Sequence, residues 1–318
     1  MSAQNIPGLS IAFYHGDLLY TEGFGFADLE HQIAAKPETA YLLGSVMKTM
    51  TAQAIMMLSE TKLDIDDEVQ IYVPYYPQKK WPVTIRQILG HMSGIGWRSL
   101  EWKEHYDKVQ YTARGVIDLF KDMELEFKPG TKFEYSSLGY NLLGAVIEEA
   151  SGTPHEEYMK SQIWQPLGMD NTQLDTRLVI PNRARGYDHD DGTLVNSVHV
   201  NNSLWFAAGG GRSTVLDMIK YARGLDAGIL LPPEIQNQMY EPMTLADGTK
   251  TSYGMGWNLN KENGYTIIYH AGGQPGTTTY LLRVLGLDFG LAIGCNLGYV
   301  DQIKDTARDI AKTFIMTQ

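Results

Sequence analysis

Ser45 and Lys48 are the residues whose types and spacing point most directly to chemistry. A hydroxyl is a weak nucleophile at neutral pH and needs a base beside it. Residues three apart in a helix lie on the same face, so a helix through this segment brings the Lys48 amine to the Ser45 hydroxyl. Loss of solvation lowers the pKa of an amine and lets it accept the serine proton. The pair therefore predicts an acyl-transfer site built from one helical turn.

A second serine–lysine pair, Ser59 and Lys62, has the same spacing. The surrounding sequence must therefore decide which pair is the better candidate. Ser45 follows Gly44 and an apolar run, and it precedes a predicted amphipathic helix. The apolar face of that helix is expected to hold Met47, Met50, Ala54, Met57 and Leu58. As the predicted N-cap, Ser45 would lie beside backbone N–H groups that suit a developing oxyanion. The alternative is an ordinary capping serine with a solvated lysine.

The composition of the 318 residues limits the possible partners. A net charge of −11 argues against nucleic acid or an anionic membrane surface. The single cysteine, Cys295, excludes an internal disulfide, and no run of 18 apolar residues predicts a membrane span. The first residues lack a signal-peptide pattern, so we expect a cytoplasmic protein or the mature part of an exported or organellar precursor.

Strand patterns occur at both ends of the chain and helix patterns fill the middle. A hairpin is expected around Gly16, and capped helices are expected after Thr84 and Thr214. Later strands are predicted at residues 253–258, 265–270, 277–284 and 289–295. We predict an α/β (α+β) fold, in which an antiparallel sheet flanked by helices is built from both termini, with an inserted mainly helical lobe. The α/β domain would comprise 1–70 and 212–318, and the lobe 71–211.

Two further motifs fall in the order that a serine–lysine enzyme needs. Tyr135 and Ser137 precede a helix expected to start near Leu138, and a His-Ala-Gly-Gly run from His270 to Gly273 ends a predicted strand. With these motifs the chain resembles the penicillin-binding-protein and class C β-lactamase-like serine hydrolases. That group includes D-stereospecific peptidases, esterases and mitochondrial β-lactamase-like proteins. The resemblance covers nearly the whole chain and implies a β-lactamase/transpeptidase-like fold.

The resemblance implies a role for each matching residue. Ser45 would be the acylated nucleophile, and Lys48 would help to deprotonate it. Tyr135 would carry protons between the nucleophile, the leaving group and the deacylating water. The backbone N–H groups of Ser45 and Gly273 would form the oxyanion hole. The resemblance implies no metal and no organic cofactor, and a small ester or peptide as the substrate.

Two positions that would bind substrate depart from the family pattern. Ser137 stands where many members have asparagine, and His270 takes the place of a lysine. His270 and Gly272 would line the edge strand along which an extended substrate pairs. A hydroxyl is shorter than an amide, and histidine lacks the permanent charge of lysine. We therefore expect esterase or peptidase activity, with weak or no β-lactamase activity.

Several interpretations stay open at the level of sequence. His189 lies among aspartates but fits a turn better than a metal site, and His91 is expected to bond loop backbone. Trp97, Trp102 and Trp205 either line the substrate cleft or only pack. A sensor that acylates slowly and a self-assembling scaffold with a low-activity site are the alternatives to a hydrolase. The natural substrate and the oligomeric state are left open.

Overall fold

The computed structural model describes residues 6–96 and 109–316, so Trp97 and Trp102 lie outside the described residues. Its strands, in chain order, are β1 (Gly8–His15), β2 (Leu18–Asp28), β3 (Ile33–Ala34), β4 (Tyr41–Leu42), β5 (Gln173–Leu174), β6 (Tyr187–Asp190), β7 (Thr193–Asn196), β8 (Gly211–Ser213), β9 (Asn258–Glu262), β10 (Tyr265–Gln274), β11 (Thr277–Leu285) and β12 (Phe289–Cys295). Its α-helices are α1 (Met47–Ser59), α2 (Ile85–Leu89), α3 (Ala113–Asp118), α4 (Ser137–Ser151), α5 (His155–Met159), α6 (Val215–Asp226), α7 (Pro233–Gln238) and α8 (Gln302–Ile315).

Strands from both ends of the chain form one antiparallel sheet, as the sequence predicted. Its order is β3-β2-β1-β12-β11-β10-β9, and β1 joins the two groups of strands by pairing with β12, with Ile11 opposite Ile293. Two smaller sheets hold the other strands, β4-β8-β5 and the β6–β7 hairpin. His189 lies in strand β6 and not in the predicted turn, which is formed by Asp191 and Gly192. The lobe boundaries at 71 and 211 stay a prediction.

Helices cover both faces of the large sheet. Successive side chains of a strand point to opposite faces, so neighbouring residues of β11 enter different cores. Leu281 packs in the core that contains α1, α4 and α6. Tyr280 and Leu282 pack on the other face, with Ile303 and Ala307 of α8. Among the described residues, no helix combines the length and the apolar character that a membrane crossing requires.

Helix α1 is buried on nearly all sides, whereas the sequence suggested a single apolar face. Within α1 only Met57 and Ser59 are partly exposed, and α4 packs directly against the helix. The threonines of α1 are accommodated because they bond to backbone carbonyls. Thr51 Oγ1, for example, donates to the Ala207 carbonyl at 2.7 Å. A helix enclosed in this way holds its first turn in a fixed place in the core.

Two of the local predictions need correction, the capping role of Ser45 and the strand at residues 253–258. Ser45 is not the N-cap of α1, because a 3₁₀ turn, Gly44–Val46, comes before the helix and Ser45 makes no capping bond. The predicted helix start near Leu138 is confirmed, because α4 begins at Ser137 and Ser136 Oγ accepts a hydrogen bond from the Gly139 N–H at 3.1 Å.

The predicted strand at residues 253–258 is wrong for all but its last residue, because β9 begins at Asn258. The chain turns before that point. Gly254 N–H donates to the Trp257 carbonyl at 2.8 Å, and Gly256 has a φ of +84°. The capped helix starts at Thr84 and Thr214 are confirmed.

Candidate active site

The turn that carries Ser45 is fixed by the strands on either side of it. The Leu43 N–H donates to the Gly211 carbonyl of β8 at 2.7 Å. The Leu43 carbonyl accepts a hydrogen bond from Thr279 Oγ1 of β11 at 2.6 Å. Because both backbone groups of Leu43 are bonded, the position of Ser45 two residues later is set by the sheet and by the entry to α1.

Two glycines, Gly44 and Gly272, allow the Ser45 turn to contact the end of β10. Gly44 has a φ of +49°, and a β-carbon there would lie 2.9 Å from the Gly273 nitrogen. A β-carbon on Gly272 would lie 2.0 Å from the Leu43 carbonyl oxygen. Side chains at these positions would separate the turn from the strand. The glycines therefore bring the backbone of β10 next to the nucleophile candidate.

Lys48 lies at the centre of the site and is completely buried. Its Nζ atom is 3.1 Å from Ser45 Oγ, 3.1 Å from Ser137 Oγ and 2.7 Å from the Ala208 carbonyl oxygen. Sequence analysis did not identify the Ala208 contact. In the described part of the chain Lys48 makes no ion pair with a carboxylate. Burial without a counter-ion lowers the pKa of Lys48 to about 7.

Tyr135 lies against Lys48, with Nζ 4.9 Å from the centroid of the phenol ring. Its hydroxyl is buried beside Ser45 and within its electrostatic influence, although no hydrogen bond of ordinary geometry joins it to a described group. Burial raises the pKa of Tyr135, and the Ser45 hydroxyl opposes this only in part. At neutral pH the phenol therefore keeps its proton and is a hydrogen-bond donor rather than a base.

His270 is buried within β10 and has both ring nitrogens bonded. Nδ1 is 2.8 Å from the Ala271 carbonyl oxygen, which can only accept, so Nδ1 carries the proton. Nε2 then accepts a hydrogen bond from the Tyr253 hydroxyl at 3.1 Å. Burial, together with the nearby Lys48, lowers the pKa of His270 to about 3. His270 is thus neutral across the physiological range.

The end of β10 presents an open edge beside Ser45. Pairing with β9 stops at Tyr269, which lies opposite Asn258, whereas pairing with β11 continues to Gln274. No described strand covers the β9 side of His270 to Gln274. This edge borders a cleft of about 430 Å³, whose described lining is Ser45, Tyr135, Asn258, His270, Ala271, Gly272, Gly273, Thr278, Tyr299, Val300, Asp301 and Lys304.

The far wall of the cleft comes from the segment leading into α8, which sequence reasoning missed. Tyr299 has a φ of +55°, and its ring lies over Gly273. Lys304 Nζ bonds Asp301 Oδ1 at 2.7 Å. The spacing of three between Asp301 and Lys304 at a helix start could have predicted their ion pair. The left-handed backbone at Tyr299 could not have been predicted from its residue type. Trp205 is half-buried against the core and is not among the described lining residues.

Potential metal ligands do not gather at this cleft in the part of the chain that is described. Asp28, Glu30 and His31 have ligand atoms close together, but they lie at the end of β2, away from the cleft lining. The carboxylate of Glu30 is also paired with Arg185 at 2.7 Å. We therefore assign no metal or cofactor to the residues described.

Comparison with known proteins identifies the family. The sequence matches the Beta-lactamase family over residues 1–313. The chain belongs to this family. It is 30% identical to penicillin-binding protein 4* of Bacillus subtilis over 299 residues, which cover 87% of this chain and 65% of that protein. It is 29% identical to the human mitochondrial serine beta-lactamase-like protein LACTB, with 87% and 68% covered. The chain thus spans about two thirds of the length of these relatives.

Solved structures agree with the observed fold of this Beta-lactamase family member. An octameric penicillin-binding protein homologue from Pyrococcus abyssi has a TM-score of 0.81 at 29% identity, with 93% of this chain and 71% of that chain covered. A D-amino acid amidase from Ochrobactrum anthropi has a TM-score of 0.87 at 22% identity, with 99% and 96% covered. The second likeness is one of fold alone.

Proposed function

We propose that this protein is a serine hydrolase in which Ser45 is acylated by neutral esters or peptide-like amides. The observation that carries the proposal is the Lys48 amine, which is fully buried, has no described counter-ion and lies 3.1 Å from Ser45 Oγ. An amine with a pKa of about 7 is partly unprotonated at neutral pH. Such a group is matched to general-base catalysis.

The surroundings of Lys48 suit the neutral amine. A neutral amine has two N–H donors and one lone pair. The Ala208 carbonyl can only accept, and the Ser137 hydroxyl takes the second donor. The lone pair is then directed to the Ser45 hydroxyl, which donates its proton as Oγ attacks the acyl carbon.

The backbone around the turn supports stabilisation of the tetrahedral intermediate. We assign the oxyanion hole to the N–H groups of Ser45 and Gly273, which the glycine contacts bring into one region. An extended substrate would add to the open edge of β10, where backbone groups from His270 to Gln274 have no described partner strand on one side.

Tyr135 would complete the proton path. In acylation, the proton taken by Lys48 passes through the Tyr135 hydroxyl to the leaving group as the ester or amide bond breaks. In deacylation, water attacks the Ser45 ester, its proton returns along the same path, and Ser45 regains its hydrogen. A phenol that stays protonated can receive one proton while it donates another, so no free tyrosinate is required.

Neutral substrates are favoured by the charges of the cleft. His270 is uncharged, and Ser137 is occupied by its bond to Lys48. Lys304, the other basic residue of the described lining, is paired with Asp301. The relatives named as penicillin-binding proteins and D-amino acid amidases support acyl transfer on peptide-like compounds. We expect β-lactams to be poor substrates.

Labelling with a fluorophosphonate, followed by mass spectrometry, tests the proposal. One adduct is expected, on the peptide that contains Ser45, and Ser45→Ala should remove it. Ser59→Ala is the matched control, because Ser59 has the same spacing to a lysine but donates to the Met56 carbonyl at 2.7 Å. Steady turnover of a p-nitrophenyl ester separates a hydrolase from a sensor, which would give one burst of product. An adduct that survives Ser45→Ala would disprove the assignment.

A further inference from the structure

His91 accepts hydrogen bonds from the backbone on both sides of Tyr135. It follows α2 and is buried, with a φ of +56° that is uncommon for a residue with a β-carbon. Its carbonyl oxygen accepts a hydrogen bond from the Glu134 N–H at 2.8 Å. Its ring nitrogen Nδ1 accepts one from the Ser136 N–H at 3.1 Å. The residues before and after Tyr135 are therefore both held by His91.

The His91 ring also packs on the Tyr135 side chain. The two ring centroids are 4.2 Å apart, and the same imidazole lies 5.0 Å from Tyr140 and 4.7 Å from Tyr253. The Tyr135 hydroxyl lies beside Ser45, but no hydrogen bond of ordinary geometry to a described group fixes its direction. Packing by neighbouring rings is therefore what orients the phenol.

We propose that His91 is a positioning residue that holds the Tyr135 phenol in its orientation toward Ser45. This inference rests on the proposed function, since it requires Tyr135 to act in proton transfer at Ser45. The contacts described for His91 are backbone hydrogen bonds and aromatic ring contacts, and none of them is to Ser45. It acts on the reaction only through Tyr135.

Two substitutions of His91 distinguish the role of its ring from the role of its hydrogen-bond acceptor. His91→Asn keeps an acceptor at the position of Nδ1 and tolerates the left-handed backbone, but it removes the ring. His91→Ala removes both the ring and the acceptor. We expect His91→Ala to lower kcat about ten- to a hundredfold with little change in KM, as loss of an interaction made in the transition state does. His91→Asn should recover part of that loss.

His155 offers a matched control for the loss of a buried histidine. It is as buried as His91, but its ring packs on Phe206 at 5.0 Å rather than on a residue of the cleft. His155→Asn should lower thermal stability and leave kcat within about threefold of the wild type. A comparable loss of kcat in His155→Asn would mean that general destabilisation explains the effect.

The decisive experiment repeats the His91 substitutions in a Tyr135→Phe background, with the rate of fluorophosphonate labelling at Ser45 as the readout. A residue that acts only through Tyr135 should have an effect of less than about threefold once the phenol oxygen is gone. The same loss in both backgrounds would overturn the proposal. If His91→Ala does not fold, His91→Asn carries the comparison. Undiminished labelling of Ser45→Ala would instead disprove the proposed function, which keeps the two failures distinct.

Discussion

Ser137 Oγ lies 3.1 Å from Lys48 Nζ, the same distance as the Ser45 hydroxyl. The residue that stands in place of the family's asparagine is thus bonded to the base rather than free to bond a substrate carbonyl. His270, which takes the place of the family's lysine, is neutral. We therefore expect the residues at these two positions to weaken recognition of a substrate carboxylate and of an amide carbonyl.

This arrangement predicts that substrate selectivity can be shifted by two substitutions. Ser137→Asn/His270→Lys should raise kcat/KM for nitrocefin relative to a short-chain p-nitrophenyl ester. A charge-assisted hydrogen bond contributes about 1.5–3 kcal/mol, so the ratio should rise about ten- to a hundredfold. If the ratio of the two kcat/KM values does not change, the proposed effect of Ser137 and His270 on selectivity is wrong. Lys304→Met serves as a control, because it tests whether Lys304 already binds the carboxylate of nitrocefin.

Lys48 and Tyr135 are predicted to act as one proton path. Lys48→Ala and Tyr135→Phe should each lower kcat about a hundredfold or more, as loss of a general acid–base group does. Because either loss interrupts the same path, the double variant should be little worse than the poorer single variant. Lys62→Ala, in the second serine–lysine pair, should have no effect. Losses that multiply would show that the two residues act independently.

The acidic limb of the pH–rate profile is expected to report Lys48. The reaction needs the unprotonated amine, so kcat/KM should fall about tenfold per pH unit below a pKa of about 7. His270 lines the cleft and His91 packs on Tyr135, but burial and Lys48 lower the pKa of both, so neither should titrate near neutrality. A flat profile between pH 5 and 8 in a stopped-flow ester assay would exclude Lys48 as the base.

The pairing of Ser45 with Lys48 was predictable because it depends on spacing within one segment. Most of the sheet was predictable for a similar reason, since its strands pair with their neighbours in sequence and the pairing of β1 with β12 joins the two ends of the chain. Contacts between side chains or backbone groups of distant segments were not predictable from the sequence. The bond from Lys48 to the Ala208 carbonyl and the two bonds that hold Glu134 and Ser136 to His91 require the folded core to form.

The errors have local physical causes. Ser45 was expected to cap α1, but the left-handed backbone at Gly44 starts a 3₁₀ turn, which leaves the Ser45 hydroxyl to Lys48 instead of to the helix. The strand expected at residues 253–258 had the right apolar and aromatic content. Its glycines allowed a turn at Gly256 that alternation alone does not reveal.

Lys48→Met is predicted to be inactive and more stable than the wild type. Burial shifts the pKa of Lys48 from 10.5 to about 7, which corresponds to a destabilisation on the order of 5 kcal/mol at or below pH 7. The three hydrogen bonds of the amine offset part of this. A methionine fills the same space without a charge, so we expect the free energy of unfolding to rise by on the order of 2 kcal/mol.

The pH dependence of this difference gives the check. Between about pH 7 and 10.5 the unfolded lysine binds a proton that the folded one does not, so wild-type stability rises with pH. The advantage of Lys48→Met should therefore be largest at or below pH 7 and shrink toward pH 10.5. Denaturant unfolding of both proteins across this range measures it, and a constant difference would show that Lys48 keeps an ordinary pKa.

Gly272 is predicted to be irreplaceable, whereas its neighbour Gly273 should tolerate a methyl group in the folded state. A β-carbon on Gly272 would lie 2.0 Å from the Leu43 carbonyl oxygen and 2.4 Å from Thr279 Oγ1. At Gly273 the nearest atom would be Tyr299 Cδ1 at 3.3 Å, and that exposed ring can shift. Gly272→Ala should lower the free energy of unfolding by about 3 kcal/mol and abolish labelling of Ser45. Gly273→Ala should cost less than about 1 kcal/mol. Equal losses of stability, measured by denaturant unfolding, would mean that the contact between β10 and the Ser45 turn is looser than these distances indicate.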